Sequence, residues 1–226
     1  MYQKYFKRVI DICCALAAII VFSWLYIIVA ILVKIKLGSP VIFKQKRPGL
    51  NGKIFTLYKF RSMTDERDEN GNLLPDSVRL TKFGKFLRNS SLDELPEAFN
   101  ILIGDMSVIG PRPQLVRDMV FFSDLQMKRQ SVRPGLSGLA QIKGRNQISW
   151  EEKLDYDVEY INKISFGYDC KLIFLTVWTA FVKQEGISQA GMDTAEDFGD
   201  YLLRTEKISE EEYKNKMELS RELLKL

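Results

Sequence analysis

The sequence predicts an α+β fold: a mostly helical, membrane-associated domain with a small β-hairpin and an apolar membrane helix at its N-terminus. Three observations carry this. Residues 9–33 form a run of 25 with one charge, Asp11, and a bilayer core of about 30 Å needs roughly 20 helical residues. Two strand-like segments, 41–45 and 53–63, flank the turn-forming pairs Pro48-Gly49 and Asn51-Gly52. Beyond them the apolar residues fall into several short helix-like stretches.

Composition narrows the chemistry. The 226 residues suffice for one domain with a real core. Lys and Arg number 33 against 29 Asp and Glu, an excess too small to argue for nucleic acid. The chain has no histidine, which excludes histidine acid–base catalysis, Ser/His triads and His-ligated zinc or iron. Cys13, Cys14 and Cys170 make neither a disulfide framework nor a CxxC metal pattern.

The apolar run is too long for a cleaved signal peptide. Lys4, Lys7 and Arg8 precede it, and Lys34, Lys36, Lys44, Lys46 and Arg47 follow it. Basic flanks favour the cytoplasmic side, and here both ends ask for it. A straight crossing satisfies one end, whereas a helix that enters, bends and returns satisfies both. Ser23 offers a hydroxyl that could bond back to a preceding carbonyl and favour a bend, but no proline or glycine forces one. The residues alone leave both forms open.

In strand 53–63, Phe55, Leu57, Lys59 and Arg61 share one face if the strand is regular. They form either a cation pair for an anion or a basic strand end. Residues 64–76 read as a polar loop, and 78–87 as one short basic helix. Then comes Arg88-Asn89-Ser90-Ser91-Leu92-Asp93-Glu94-Leu95-Pro96-Glu97. Ser91 and Glu94 match a capping box, yet Pro96 must sit in the first turn of the following helix. Either way Asp93 and Glu94 lie at or just before a helix start, as caps or as chemical groups. Gly110-Pro111-Arg112-Pro113 holds an arginine between two prolines, and so pre-ordered it loses little entropy on meeting a phosphate.

Residues 115–127 read as one amphipathic helix. Arg133 opens a glycine-rich loop running to Gln141, and Arg145 and Asn146 follow. Such loops let amides approach a nucleotide phosphate, although no Walker or dinucleotide pattern is present. Ser149 to Glu152 forms a capping box for a helix to about residue 162 that carries Asp157. Residues 172–182, an apolar run of 11, are too short to cross a bilayer. The tail after Gly186 ends in a charged helix and reads as a surface appendage or a homo-oligomer contact. The expected domains are residues 1–36, 37–186 and 187–226.

Together, Lys59-Phe60-Arg61-Ser62-Met63, Ser91-Leu92-Asp93-Glu94-Leu95-Pro96, the segment from Gly104-Asp105-Met106-Ser107 to Pro113, and Arg133-Pro134-Gly135-Leu136-Ser137-Gly138 resemble the bacterial sugar transferase family, the monotopic phosphoglycosyl transferases, over about residues 1–183. The resemblance implies transfer of a sugar 1-phosphate from a UDP-sugar to undecaprenyl phosphate, with release of UMP and a need for Mg²⁺. It implies Asp93 as nucleophile forming an aspartyl–phosphosugar intermediate, Glu94 as metal ligand with Asp93 as a second candidate, and Lys59 and Arg112 as phosphate binders. Arg61, Arg88, Arg133, Gln141, Arg145, Asn146 and Asp157 are expected to contact substrate. The resemblance also implies a re-entrant helix, with the catalytic domain on the cytoplasmic face of the bacterial inner membrane and in contact with its lipid. The family's bend usually falls at a Ser-Pro pair, whereas here Ser23 precedes Trp24. The alternative is a catalytically silent, membrane-anchored sugar-nucleotide binding or scaffold protein. The intact acid pair and Arg112 speak against it.

Overall fold

The computed structural model describes residues 1–144, 148–179 and 196–225. It is an α+β protein dominated by helices. Helices α1 (Lys7–Val21) and α2 (Ser23–Leu37) meet at a 65° bend. The backbone of Phe22 makes it, at φ −96° and ψ 11°; the Ser23 hydroxyl takes no part among the described hydrogen bonds. Among the described residues no single helix is long and apolar enough to cross a membrane, although the bent pair together meets that test of length and composition.

Both ends of this pair are fastened to the same body. On α1 the buried residues Lys7, Asp11 and Ala15 recur every four positions, as do Val29, Val33 and Leu37 on α2. Asp11, the one charge in the apolar run, accepts from Ser107 Oγ and from the Val108 amide, both at 2.9 Å. Lys7 pairs with Asp169 at 2.5 Å. Arg8 donates to the carbonyls of Ile101 and Leu102, at a helix end where a cation is favoured. Tyr26 donates to the Leu95 carbonyl at 2.6 Å.

Strands β1 (Ile42–Pro48) and β2 (Ile54–Phe60) form the antiparallel hairpin, Ile42 opposite Phe60 and Lys44 opposite Tyr58. The expected basic helix 78–87 is two, α3 (Asp76–Arg79) and α4 (Lys82–Asn89), because Thr81 is extended and caps α4 through the Gly84 amide. A 3₁₀ turn, Leu92–Glu94, leads to α5 (Glu97–Ile103), which has Pro96 at its N-cap. Strands β3 (Ser107–Ile109) and β4 (Gly135–Ser137) pair in parallel and bring two sequence motifs backbone to backbone. A Cβ on Gly135 would lie 2.1 Å from the Gly110 amide nitrogen.

The expected helix 115–127 is also broken, into α6 (Val116–Met119) and α7 (Asp124–Met127). Ser123 and Gln126 build a new capping box there, and Phe121 and Phe122 turn into the core. Helices α8 (Leu139–Lys143), α9 (Trp150–Lys163) and α10 (Phe166–Trp178) follow, with Ser149 and Glu152 capping α9 as expected. Residues 187–195 lie outside the described residues. The tail's α11 (Phe198–Arg204) and α12 (Glu210–Lys225) share a core with the body: Phe198 is buried with Val116, Phe122, Trp150 and Leu154, and Tyr213, Met217 and Leu223 pack on that cluster. Asp118 accepts from the Phe198 amide at 2.8 Å.

Candidate active site

The acid pair stands on a tight corner. Ser91 takes left-handed angles, φ 55° and ψ 19°, with no side-chain cap bond, so the expected capping box is replaced by a kink. This kink and Pro96 turn the Leu92–Glu94 segment towards the end of β2, where Lys59 sits. Lys59 Nζ lies 3.0 Å from Glu94 Oε1 and 3.0 Å from Glu97 Oε1. Arg112 Nη2 bonds the same Glu94 oxygen. Glu94 is thus held between two cations, whereas Asp93, only 7% exposed, has no hydrogen-bond partner among the described residues.

Arg112 is held from behind. Buried Arg129 donates to the Arg112 carbonyl at 2.6 Å and grips Asp157 Oδ2 at 3.0 and 2.7 Å. Arg47 donates to the Pro113 carbonyl at 3.1 Å. The Pro-Arg-Pro turn is therefore clamped on consecutive carbonyls, which fixes where its guanidinium can reach.

Three carboxylates crowd this space and titrate differently. Burial, reinforced by the charge of Glu94, raises Asp93 from 3.8 to about 6, against the pull of Lys59, Arg112 and Arg88. Burial and Glu94 likewise raise Glu97 to about 7. Burial also works against Glu94, but Arg112 and Lys59 outweigh it and hold that carboxyl well below the usual range. Arg112 is raised in return, by Glu94 first.

Glu97 is 1% exposed. Its Oε1 lies 3.0 Å from Lys59 Nζ as an ion pair, and its oxygens have no further hydrogen-bond partner among the described residues. No group of three acid, cysteine or histidine side chains is arranged to hold a metal among the described residues. Mg²⁺, however, usually takes one or two carboxylates and completes its shell with water and substrate phosphate. Hard, under-bonded oxygens on Asp93 and Glu97 beside Glu94 fit that donor chemistry.

Residues 2–183 match the family described as bacterial sugar transferase. The chain belongs to the bacterial sugar transferase family. Among sugar transferases it is 50% identical over 192 residues to the "Uncharacterized sugar transferase EpsL" of Bacillus subtilis, covering 85% of this chain and 95% of that protein. It is 42% identical to the UDP-glucose:undecaprenyl-phosphate glucose-1-phosphate transferase of Klebsiella pneumoniae, across 79% of this chain but 41% of that longer protein. It is 34% identical to the exopolysaccharide production protein ExoY of Rhizobium meliloti, across 76% of this chain and 83% of that protein.

Within this sugar transferase, Asp93, Glu94, Lys59 and Arg112 converge. Arg88 donates to Ser62 Oγ at 3.0 Å and is close enough to pull on Asp93. Three expected substrate contacts are committed elsewhere. Arg61 donates to Asp65 and the Leu37 carbonyl because β2 ends at Phe60, before the shared face reaches it. Arg133 donates to the Gly104 carbonyl at the end of α5. Asp157 is buried against Arg129. The Gln141 amide is buried without a partner among the described residues, and Arg145 and Asn146 lie outside them. Sequence reasoning missed Glu97, Arg129 and Arg47. Glu97 was legible as a helix spacing of three from Glu94, one turn on; nothing local marked the two arginines.

Proposed function

We propose that this protein transfers a sugar 1-phosphate from a UDP-sugar to undecaprenyl phosphate, releasing UMP, at the cytoplasmic face of the bacterial inner membrane. The observation that carries this is the division of labour at the acid pair: Glu94 held by Lys59 and Arg112, Asp93 buried beside them with no hydrogen-bond partner among the described residues. Relatives named as undecaprenyl-phosphate sugar-phosphate transferases support the same reading.

In the proposed first step, ionised Asp93 Oδ attacks the sugar-bearing phosphorus of the diphosphate. The bond to the bridging oxygen breaks, and UMP leaves with the electron pair. In the second, an oxygen of the lipid phosphate attacks the same phosphorus and the carboxylate leaves, giving polyprenyl diphosphate sugar. Lys59 and Arg112 would meet the charge developing on the non-bridging oxygens. Arg129, through the Arg112 carbonyl, keeps that arginine aimed. Mg²⁺ held by Glu94 and Asp93, with Glu97 adjacent, would supply neutralisation of the diphosphate and an easier departure of UMP.

We read the bent helix pair as re-entrant. The start of α1 and the end of α2 are packed on one body, which a straight crossing of about 45 Å over 30 residues would separate. Val9, Ile20, Val21, Trp24, Ile27, Ile31 and Ile35 leave an apolar face uncovered. The test is incubation with radiolabelled UDP-sugar, Mg²⁺ and undecaprenyl phosphate. Label passing to lipid with release of UMP is expected. Binding of the nucleotide sugar without transfer would instead favour the silent binding protein.

A further inference from the structure

The Pro-Arg-Pro turn has two ends. Upstream it leaves β3, which is fixed by its pairing with β4. Downstream, Gln114 and Leu115 lead into α6, a single turn of four residues. So short a helix does not stand by itself in water. Its support comes from the C-terminal tail, which lies past the residues 2–183 that match the family.

The support is specific. Asp118, 1% exposed, accepts on one oxygen from the Leu115 amide at 3.1 Å, which closes the start of α6. Its other oxygen accepts from the Phe198 amide at the start of α11, at 2.8 Å. Such bonds to a charged acceptor are the strong ones. Arg117, on the same turn, pairs with Asp197 at 2.9 Å and Asp200 at 3.1 Å, and Tyr213 of α12 donates to Asp200 at 2.5 Å. The Phe198 ring is buried with Val116, Met119 and Phe122. The backbone of α11 comes so close that a Cβ on Gly199 would lie 2.5 Å from the Phe121 ring. Arg47, which donates to the Pro113 carbonyl, stands within range of the charges of Asp118 and Asp197.

We propose that the tail is a working part of this active site: Asp197, Phe198 and Asp200 are positioning residues that fix α6 and, through it, the reach of Arg112. The proposal rests on the function proposed above, in which Arg112 meets phosphate charge. The test uses the full chain in lipid nanodiscs. It follows amide hydrogen exchange together with the first turnover, UMP released from UDP-sugar without lipid acceptor. Phe198→Ala is expected to speed exchange in the peptide holding residues 114–119 and to slow UMP release about tenfold. With Arg112→Ala also present, Phe198→Ala should slow release no further, because the side chain that the tail aims is gone. An equal factor in both backgrounds, or unchanged exchange at 114–119, overturns the proposal. Should Phe198→Ala fail to fold, Asp197→Asn with Asp200→Asn leaves the core intact. That variant is expected to give the same two signs, with release slowed about threefold. Wild type that releases no UMP sinks the proposed reaction, while exchange at 114–119 still decides the link between tail and turn.

Discussion

At the scale of single residues, function turns on three carboxyls that differ by what touches them. Glu94 is neutralised by two cations, Asp93 by none directly among the described residues, and Glu97 shares Lys59 from a buried position. Because Asp93 titrates near 6 and must be ionised to attack, kcat/KM is expected to rise through about pH 6 in a pH–rate profile. Stability should move the other way. The folded pKa lies above the unfolded one, so the stabilising contribution is present below about pH 4 and lost as pH rises through 6. Thermal unfolding should show wild type losing ground to Asp93→Asn between these limits, by up to about 3 kcal/mol.

Asp157 gives a second residue test. Asp157→Asn strands buried Arg129 and is expected to cost about 3–5 kcal/mol, with a smaller loss when Arg129→Met is added, read by denaturant unfolding. A sugar contact would instead raise the donor KM and leave stability unchanged. The acid pair and Arg112 were legible because their neighbours, Pro96, Pro111 and Pro113, mark them locally. Asp157's true partner was not, since Arg129 is 28 residues away in sequence.

At the scale of elements, sequence pattern located the hairpin, the α9 cap and the apolar N-terminal run. It misjudged continuity. Residues 78–87 and 115–127 carry helical spacing, but Thr81 and Ser123 each start a new helix, and capping by a side chain outweighs a weak periodic signal in such short stretches. The parallel β3–β4 pair was invisible, because its strands are three residues each and distant in sequence. It nevertheless sets Arg112, since Gly110 leads straight from β3 into the Pro-Arg-Pro turn. Gly135→Ala is therefore expected to unfold the protein or displace that turn, with transfer lost even where circular dichroism shows helix retained. Asp11→Ala, which strands the Val108 amide while the Ser107 hydroxyl keeps the Ile109 carbonyl, should cost roughly 1–3 kcal/mol in chemical denaturation.

At the scale of the whole molecule, the bent helix pair, the hairpin and the acid corner bring an apolar surface and a charged site into one compact arrangement. The doubly basic flanks left a crossing and a return of the chain both open. The polar anchors of Asp11, Lys7 and Arg8 explain how a 25-residue apolar run is fastened at its charged end. Cysteines introduced at Gln3 and Phe43 in intact membranes should react with an impermeant thiol reagent from the same, cytoplasmic side; labelling from opposite sides would reject re-entrance. The covalent role of Asp93 is tested most directly by rapid-quench measurement of UMP release from UDP-sugar with no lipid acceptor present. Wild type is expected to release about one UMP per active site and then stop until undecaprenyl phosphate is added, and Asp93→Asn to release none. UMP that appears only once acceptor is present, or transfer that survives in Asp93→Asn, would contradict it.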